Sequence, residues 1–196
     1  MKYLDPVTGK TSFRELRRDS SETDVAFELT FSCYRQFQFL DRDRTREWFV
    51  ESLQEARNTL PFDLWAWVIM PEHVHLLVCP RSDEMTVGEI RSRIKEPVAR
   101  RAIAWLEQSA PDWLPRITVQ EGKRTRRRFW QPGGGYDRNA TELVTIYSMI
   151  DYIHNNPVRR GLVEKSTDWE WSSARWYADM SPVLIQMDRT LPMRVE

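Results

Sequence analysis

The chain has 196 residues, 41% of them hydrophobic and nine of them tryptophan, which is enough to bury one sizeable core and points by default to one main domain. Its 29 basic and 29 acidic side chains cancel, so overall charge advertises no nucleic-acid partner and only a local cluster can do so. Cys33 and Cys79 are the only cysteines and both lie in apolar runs, which argues against a disulfide scaffold and for reduced thiols. No apolar signal core opens the chain and no stretch is long and uncharged enough to span a bilayer, so the expected location is cytoplasmic, without a membrane partner.

Residues 1–24 carry Pro6, Gly9 and a charged run with little periodicity, and are expected to form a poorly ordered or draped leader. Phe27, Leu29, Phe31 and Cys33 alternate with more polar neighbours, which predicts a half-buried strand over 25–34. Asp43 can cap the helix that follows, with Glu47 at the matching early position, and Trp48, Phe49, Leu53 and Ala56 recur at helical spacing until Asn58. After Pro61, residues 62–70 form an aromatic and aliphatic strand that turns at Pro71-Glu72 into a second strand over 73–79, a hairpin. Residues 85–108 read as a second helix interrupted at Pro97, which has no amide hydrogen to give the helix.

Ile117 to Val119 is a short strand or loop. Residues 124–130 are expected to form the fourth core strand, followed by a flexible turn over 131–135 with three glycines. Asn139 or Thr141 then caps a helix through Leu143, Ile146, Met149, Ile150 and Ile153, ending near Pro157. The order strand, helix, strand, strand, helix, strand predicts an α+β fold. It fits a ferredoxin-like β-α-β-β-α-β sandwich with an added tyrosine-bearing helix. The boundaries expected are a leader at 1–24, a main domain at 25–157, and an irregular tail at 158–196 packed on the core.

The triplet His73-Val74-His75 carries the chemistry. Strand side chains alternate, so both imidazoles leave the same sheet face, about 7 Å apart along the chain. Two imidazoles do not complete a metal shell, and the bland alternative is a pair of hydrogen-bonded core histidines. Glu72, His154, Asn155 and Asn156 are the nearest candidates for a third ligand. Tyr152 and Asn156 are four apart and so lie about 40° from each other on a helix, whereas His154 is turned roughly 200° from Tyr152. Packed over the open sheet face, this helix would set a hydroxyl and an amide above the imidazoles. Such a mixed shell suits Mg²⁺ or Mn²⁺ as a Lewis acid on a phosphoryl oxygen, although imidazole accepts Zn²⁺ equally. A tyrosinate attacking phosphorus would form a covalent intermediate. The structural alternative for Tyr152 is a packed ring with a wet hydroxyl.

The run 70–78 (MPEHVHLLV), the run 152–163 (YIHNNPVRRGLV) and Trp171-Ser172-Ser173 together resemble the REP-associated tyrosine transposases, within the HUH single-tyrosine transposase superfamily. The resemblance extends from about Phe27 to Tyr177, with three separated motifs in the right order. It implies an HUH-type catalytic domain, a divalent metal held by His73 and His75, and Tyr152 as nucleophile toward single-stranded or hairpin DNA through a 5′-phosphotyrosine link. It also implies Asn156 as third ligand. Because Pro157 disfavours helical backbone at Asn156, His154, Asn155 or a water are the alternatives for that place. Proteins of this family act at hairpins of repetitive extragenic palindromes, and a monomer is expected, with a homodimer as the alternative.

Arg124, Arg126, Arg127 and Arg128, followed by Phe129 and Trp130, form the densest basic cluster and suit phosphate attraction with base stacking. Alternation splits Arg126 and Arg128 from Arg127, and a solvated edge strand is the equally weighted alternative. Arg159 and Arg160 are a second candidate pair for DNA. Trp169, Trp171 and Trp176 are expected to strap the tail to the core. Three functions compete: a metal-dependent DNA nickase and strand transferase acting through Tyr152, a non-cleaving hairpin-binding protein derived from one, and a hydrolase of small phosphoesters.

Overall fold

The computed structural model describes residues 2–4, 11–13, 25–133 and 136–191. In chain order the elements are β1 (Lys2–Leu4), β2 (Thr11–Phe13), β3 (Ala26–Ser32), α1 (Asp43–Thr59), β4 (Phe62–Ile69), β5 (His73–Pro80) and α2 (Val87–Ser109). Then follow α3 (Leu114–Ile117), β6 (Thr118–Glu121), β7 (Arg124–Arg127), β8 (Tyr136–Ala140), α4 (Leu143–Arg159) and α5 (Ala174–Tyr177). β1 and β2 pair with each other, and the rest of the expected leader lies outside the described residues, as do two glycines of the turn over 131–135.

Four strands form one antiparallel sheet in the order β4-β5-β3-β8. Helices cover both of its faces, which makes the fold mixed α/β. Phe27, Leu29 and Phe31 of β3 and Val74, Leu76 and Val78 of β5 point to one side, where Phe49 and Leu53 of α1 and Ile90 and Ile94 of α2 meet them. On the other side Leu77 and Cys79 of β5, with Val68 and Met70, pack under Ile146, Met149, Ile150 and Ile153 of α4. Burial on both faces explains why β4 and β5 read as almost continuous apolar runs rather than alternating ones. It also decides the histidines: sharing parity with Leu77, they face α4.

The structure corrects the sequence reading of several elements. β7, expected to join the core sheet, pairs only with β6 in an exposed hairpin. Arginine at 124, 126 and 127 leaves no apolar face to bury, and β8, with the exposed Arg138 and Asn139, takes the sheet edge. Asn139 is thus a strand residue, and α4 starts after Glu142, with no side-chain cap. Asp43 likewise is not a cap: it opens α1 after Arg42 and accepts a 3.1 Å hydrogen bond from Arg46.

α2 runs through Pro97 as one helix, started by a Thr86–Glu89 capping box. Burial of Ile90, Ile94 and Val98 contributes about 1.5–3 kcal/mol for each side chain, which outweighs the roughly 3 kcal/mol cost of an interior proline. A buried Ser52 hydroxyl from α1 donates to the Ile94 carbonyl at 2.8 Å, in the turn before the proline.

The segment after α4 closes the open edge of β4. Ile69 N–H donates to the Trp171 carbonyl at 2.9 Å, Ser173 N–H to the Trp67 carbonyl at 3.0 Å, and the Trp169 indole to the Ile69 carbonyl at 3.0 Å. An apolar edge strand left bare is a template for aggregation, and this strap pairs it. Among the described residues no helix is long and apolar enough to cross a membrane.

Candidate metal and nucleophile site

His73 and His75 meet edge to face on the sheet, ring centroids 4.9 Å apart. α4 crosses above them, and its four-residue spacing brings Tyr152 and Asn156 to the same point. The Tyr152 ring stands edge-on to His75 at 5.5 Å and is 39% exposed, while Asn156 is buried with its amide nitrogen 3.1 Å from His75 Nε2. Pro157 does not turn Asn156 away. α4 continues to Arg159 and ends in a turn in which Arg160 N–H donates to the Asn156 carbonyl and Gly161 takes φ +67°, the left-handed conformation that glycine adopts without strain at a helix end.

The other candidates for a third ligand lie elsewhere. His154 is on the opposite side of α4, buried against Tyr177 with its Nε2 2.8 Å from the Ser173 hydroxyl, and Asn155 bonds back to the Asp151 carbonyl on the exposed side. Glu72 reaches His73 from behind, with Oε1 3.1 Å from Nδ1.

Burial alone lowers the His154 pKa from 6.5 to about 4. The unfolded chain therefore binds a proton between those values that the folded chain refuses, so the stability His154 contributes is full above pH 6.5 and is lost as pH falls toward 4. About 2 kcal/mol of the stability difference between pH 7 and pH 5 is expected to come from this residue. Urea denaturation at the two pH values checks it: His154→Asn should narrow the difference by that amount, and an unchanged difference would show that His154 is not held neutral.

Two carboxylates complete the surroundings of the histidines: Glu28, which the sequence reading missed, and Glu72, which it offered only as a third ligand. Buried Glu28, on the central strand β3, sits with Oε1 3.2 Å from His75 Nδ1, which also bonds the Thr30 hydroxyl at 2.9 Å. Glu28 Oε2 lies 3.5 Å from Arg138 Nε, and Glu72 Oε1 lies 2.8 Å from an Arg160 nitrogen. The signal for Glu28 and Thr30 is present, since both are polar alternates of an otherwise apolar strand, but only the register Thr30↔His75 shows what they face. The His73 pKa falls to about 4, first through burial and then through His75, with Glu72 opposing both. Its imidazole is thus neutral at physiological pH, with a lone pair to give.

These donors fit a divalent ion. With each Nδ1 engaged by a carboxylate, each Nε2 is the nitrogen left for a metal. Among the described residues no three His, Cys, Asp or Glu side chains converge as a ligand set, and the side-chain amide that meets His75 Nε2 is that of Asn156. Rotation of that amide would aim its oxygen where its nitrogen now points, an exchange ordinary for Asn.

The candidate DNA contacts divide. Arg159 lies over the Tyr152 ring, 4.9 Å from its centroid, and Arg160 reaches Glu72, so both stand at the site. Arg126 and Arg128 pair with Glu121 and Arg127 with Glu107, acids of the hairpin and of α2 rather than of the site, while Arg124 is exposed on the hairpin. Trp130 is corrected from a base-stacking position to a core one. Its ring packs edge-on against Phe31 at 5.2 Å and its indole donates to the Lys95 carbonyl at 2.9 Å.

Relatives of the chain carry the name of the family that its motifs resemble. The chain is 28% identical over 145 residues to the Haemophilus influenzae protein named "Putative REP-associated tyrosine transposase", covering 70% of this chain and 77% of that one. It is 28% identical over 135 residues to an Escherichia coli REP-associated tyrosine transposase, covering 68% of this chain and 66% of that one. A solved REP-associated tyrosine transposase bound to a REP hairpin shares the fold, with a TM-score of 0.65 and 19% identity over 94% of this chain and 99% of that one. No protein-family model matches the chain. In sequence and in fold it is similar to the REP-associated tyrosine transposases.

Proposed function

We propose that this chain is a metal-dependent DNA nickase and strand transferase that acts on single-stranded or hairpin DNA through Tyr152. The observation that carries the reading is the convergence of a half-exposed tyrosine with His73, His75 and Asn156, residues contributed by two elements more than 70 positions apart in sequence. The strand order β4-β5-β3-β8 supports assigning the scaffold to the ferredoxin-like class. A hairpin of repetitive extragenic palindromes is the proposed substrate, in keeping with the REP hairpin bound to the solved relative.

In this mechanism the phenolic oxygen of Tyr152 bonds to a DNA phosphorus as the bond from phosphorus to the 3′ oxygen breaks. The phenol proton goes to solvent, and the departing 3′ oxygen takes one up. The resulting 5′-phosphotyrosine keeps the energy of the phosphodiester, so a 3′ hydroxyl can later attack it and release the tyrosine. His73, His75 and Asn156 would hold Mg²⁺ or Mn²⁺, which supplies charge to the phosphoryl oxygens. Arg159 and Arg160 add positive charge beside Tyr152 for the flanking phosphates. A phosphate has to reach the Tyr152 hydroxyl from solvent, and the partial exposure of that side chain allows the approach.

The test is incubation of the protein with labelled REP-type hairpin oligonucleotides and Mn²⁺, followed by a denaturing gel. A labelled band at protein mass that survives boiling in detergent is expected. Hairpin retention on a native gel with no such band would leave a binding protein, and free 5′-phosphate without an adduct would leave a hydrolase.

A further inference from the structure

Each histidine of the site is backed by the same three-part chain. Arg138 pairs with Glu28, whose Oε1 lies 3.2 Å from His75 Nδ1, and Arg160 pairs with Glu72, which is hydrogen-bonded to His73 Nδ1 at 3.1 Å. Both carboxylates are buried, at 3% and 4% exposure, where a charge is costly unless partnered. Their arginines come from β8 and from the end of α4, so four different segments converge to build two matching arrangements. A core that needed only packing would have apolar side chains at 28 and 72.

We infer that Glu28 and Glu72 are the positioning residues of this site: each holds Nδ1–H of one histidine, so that both Nε2 lone pairs are presented together toward Asn156 and a divalent cation. A neutral histidine in water carries its proton mainly on Nε2, the nitrogen needed as donor here. A carboxylate at Nδ1 reverses that preference, fixes the ring and raises the basicity of the opposite nitrogen. The contacts at Nε2 agree. His75 Nε2 meets the Asn156 amide at 3.1 Å, and among the described residues His73 Nε2 has no hydrogen-bond partner. At His75 the Thr30 hydroxyl, 2.9 Å from Nδ1, is a nearer partner than Glu28, so His73 depends more heavily on its one carboxylate.

The inference rests on the proposed metal site, and the test separates the two. Nitrogen-15 NMR of the metal-free protein reads the tautomers, and Mn²⁺ titration followed by electron paramagnetic resonance reads affinity. In the wild type both histidines should be in the Nδ1–H form. Glu72→Gln should return His73 to the Nε2–H form and weaken Mn²⁺ binding about 10- to 100-fold, and Glu28→Gln should do the same for His75 to a smaller extent. Arg138→Ala and Arg160→Ala change half-exposed side chains and keep the fold should a glutamate variant lose it; each should mix the tautomers of its own histidine. Wild-type histidines already in the Nε2–H form, or variants with unchanged tautomers and unchanged Mn²⁺ affinity, would overturn the inference. A wild type that binds no Mn²⁺ but shows the Nδ1–H tautomers would remove the metal from the proposed function and leave the positioning role standing.

Discussion

Tyr152→Phe is expected to abolish the covalent product with hairpin DNA, a loss on the order of 10⁴-fold or more, while hairpin affinity on a native gel stays at the wild-type level. The change removes one oxygen and little else. The ring keeps its edge-on contact with His75 and its cover by Arg159, and the site is partly open, so stability should move by less than about 0.5 kcal/mol. Two further tyrosines are held in other contacts. The Tyr177 hydroxyl donates to the Trp65 carbonyl at 2.6 Å, and burial holds its pKa above the usual tyrosine value. Tyr34 is buried under the aromatic cluster beside α2. A variant that still forms the adduct at wild-type rate would place the nucleophile outside α4 and end this reading of the site.

Asn156→Ala should weaken Mn²⁺ binding by at least the 10- to 100-fold that loss of a mere supporting partner costs, and nicking should fall with it. The amide is buried and meets His75 at Nε2. Its loss also leaves that nitrogen short of a partner, at a stability cost of about 1–3 kcal/mol. Calorimetric titration with Mn²⁺ checks the affinity, and activity recovered at high Mn²⁺ would show that the defect is in binding the ion. His154→Asn is the control, since His154 faces Ser173 on the far side of α4, and its Mn²⁺ affinity should equal the wild type's. Equal affinity in Asn156→Ala would instead move the third ligand to water.

The pattern of the residues shows in advance the parts of the site that depend on local periodicity. Two-residue spacing puts His73 and His75 on one face, four-residue spacing puts Tyr152 and Asn156 together, and helical rotation sends His154 away; the side-chain contacts follow the same geometry. What depends on pairing between distant strands is not legible. Glu28 reaches His75 only because β3 lies beside β5, and Arg138 reaches Glu28 only because β8 occupies the edge. The misplaced fourth strand has the same origin. Residues 124–130 carry strand-like alternation, and nothing local says that a more polar segment, Tyr136–Ala140, wins the sheet edge. Pro97 and Pro157 both look like breaks in the sequence, but local penalties yield to burial along α2 and α4.

The central claim is that Tyr152 becomes joined to DNA. Its most direct measurement is mass spectrometry of the protease-digested product formed from the full chain, a labelled hairpin oligonucleotide and Mn²⁺. The expected result is a nucleotide phosphate carried on the peptide that contains Tyr152, with fragment ions placing it on that side chain. A nucleotide on any other residue, or free 5′-phosphate with every tyrosine unmodified, would contradict it.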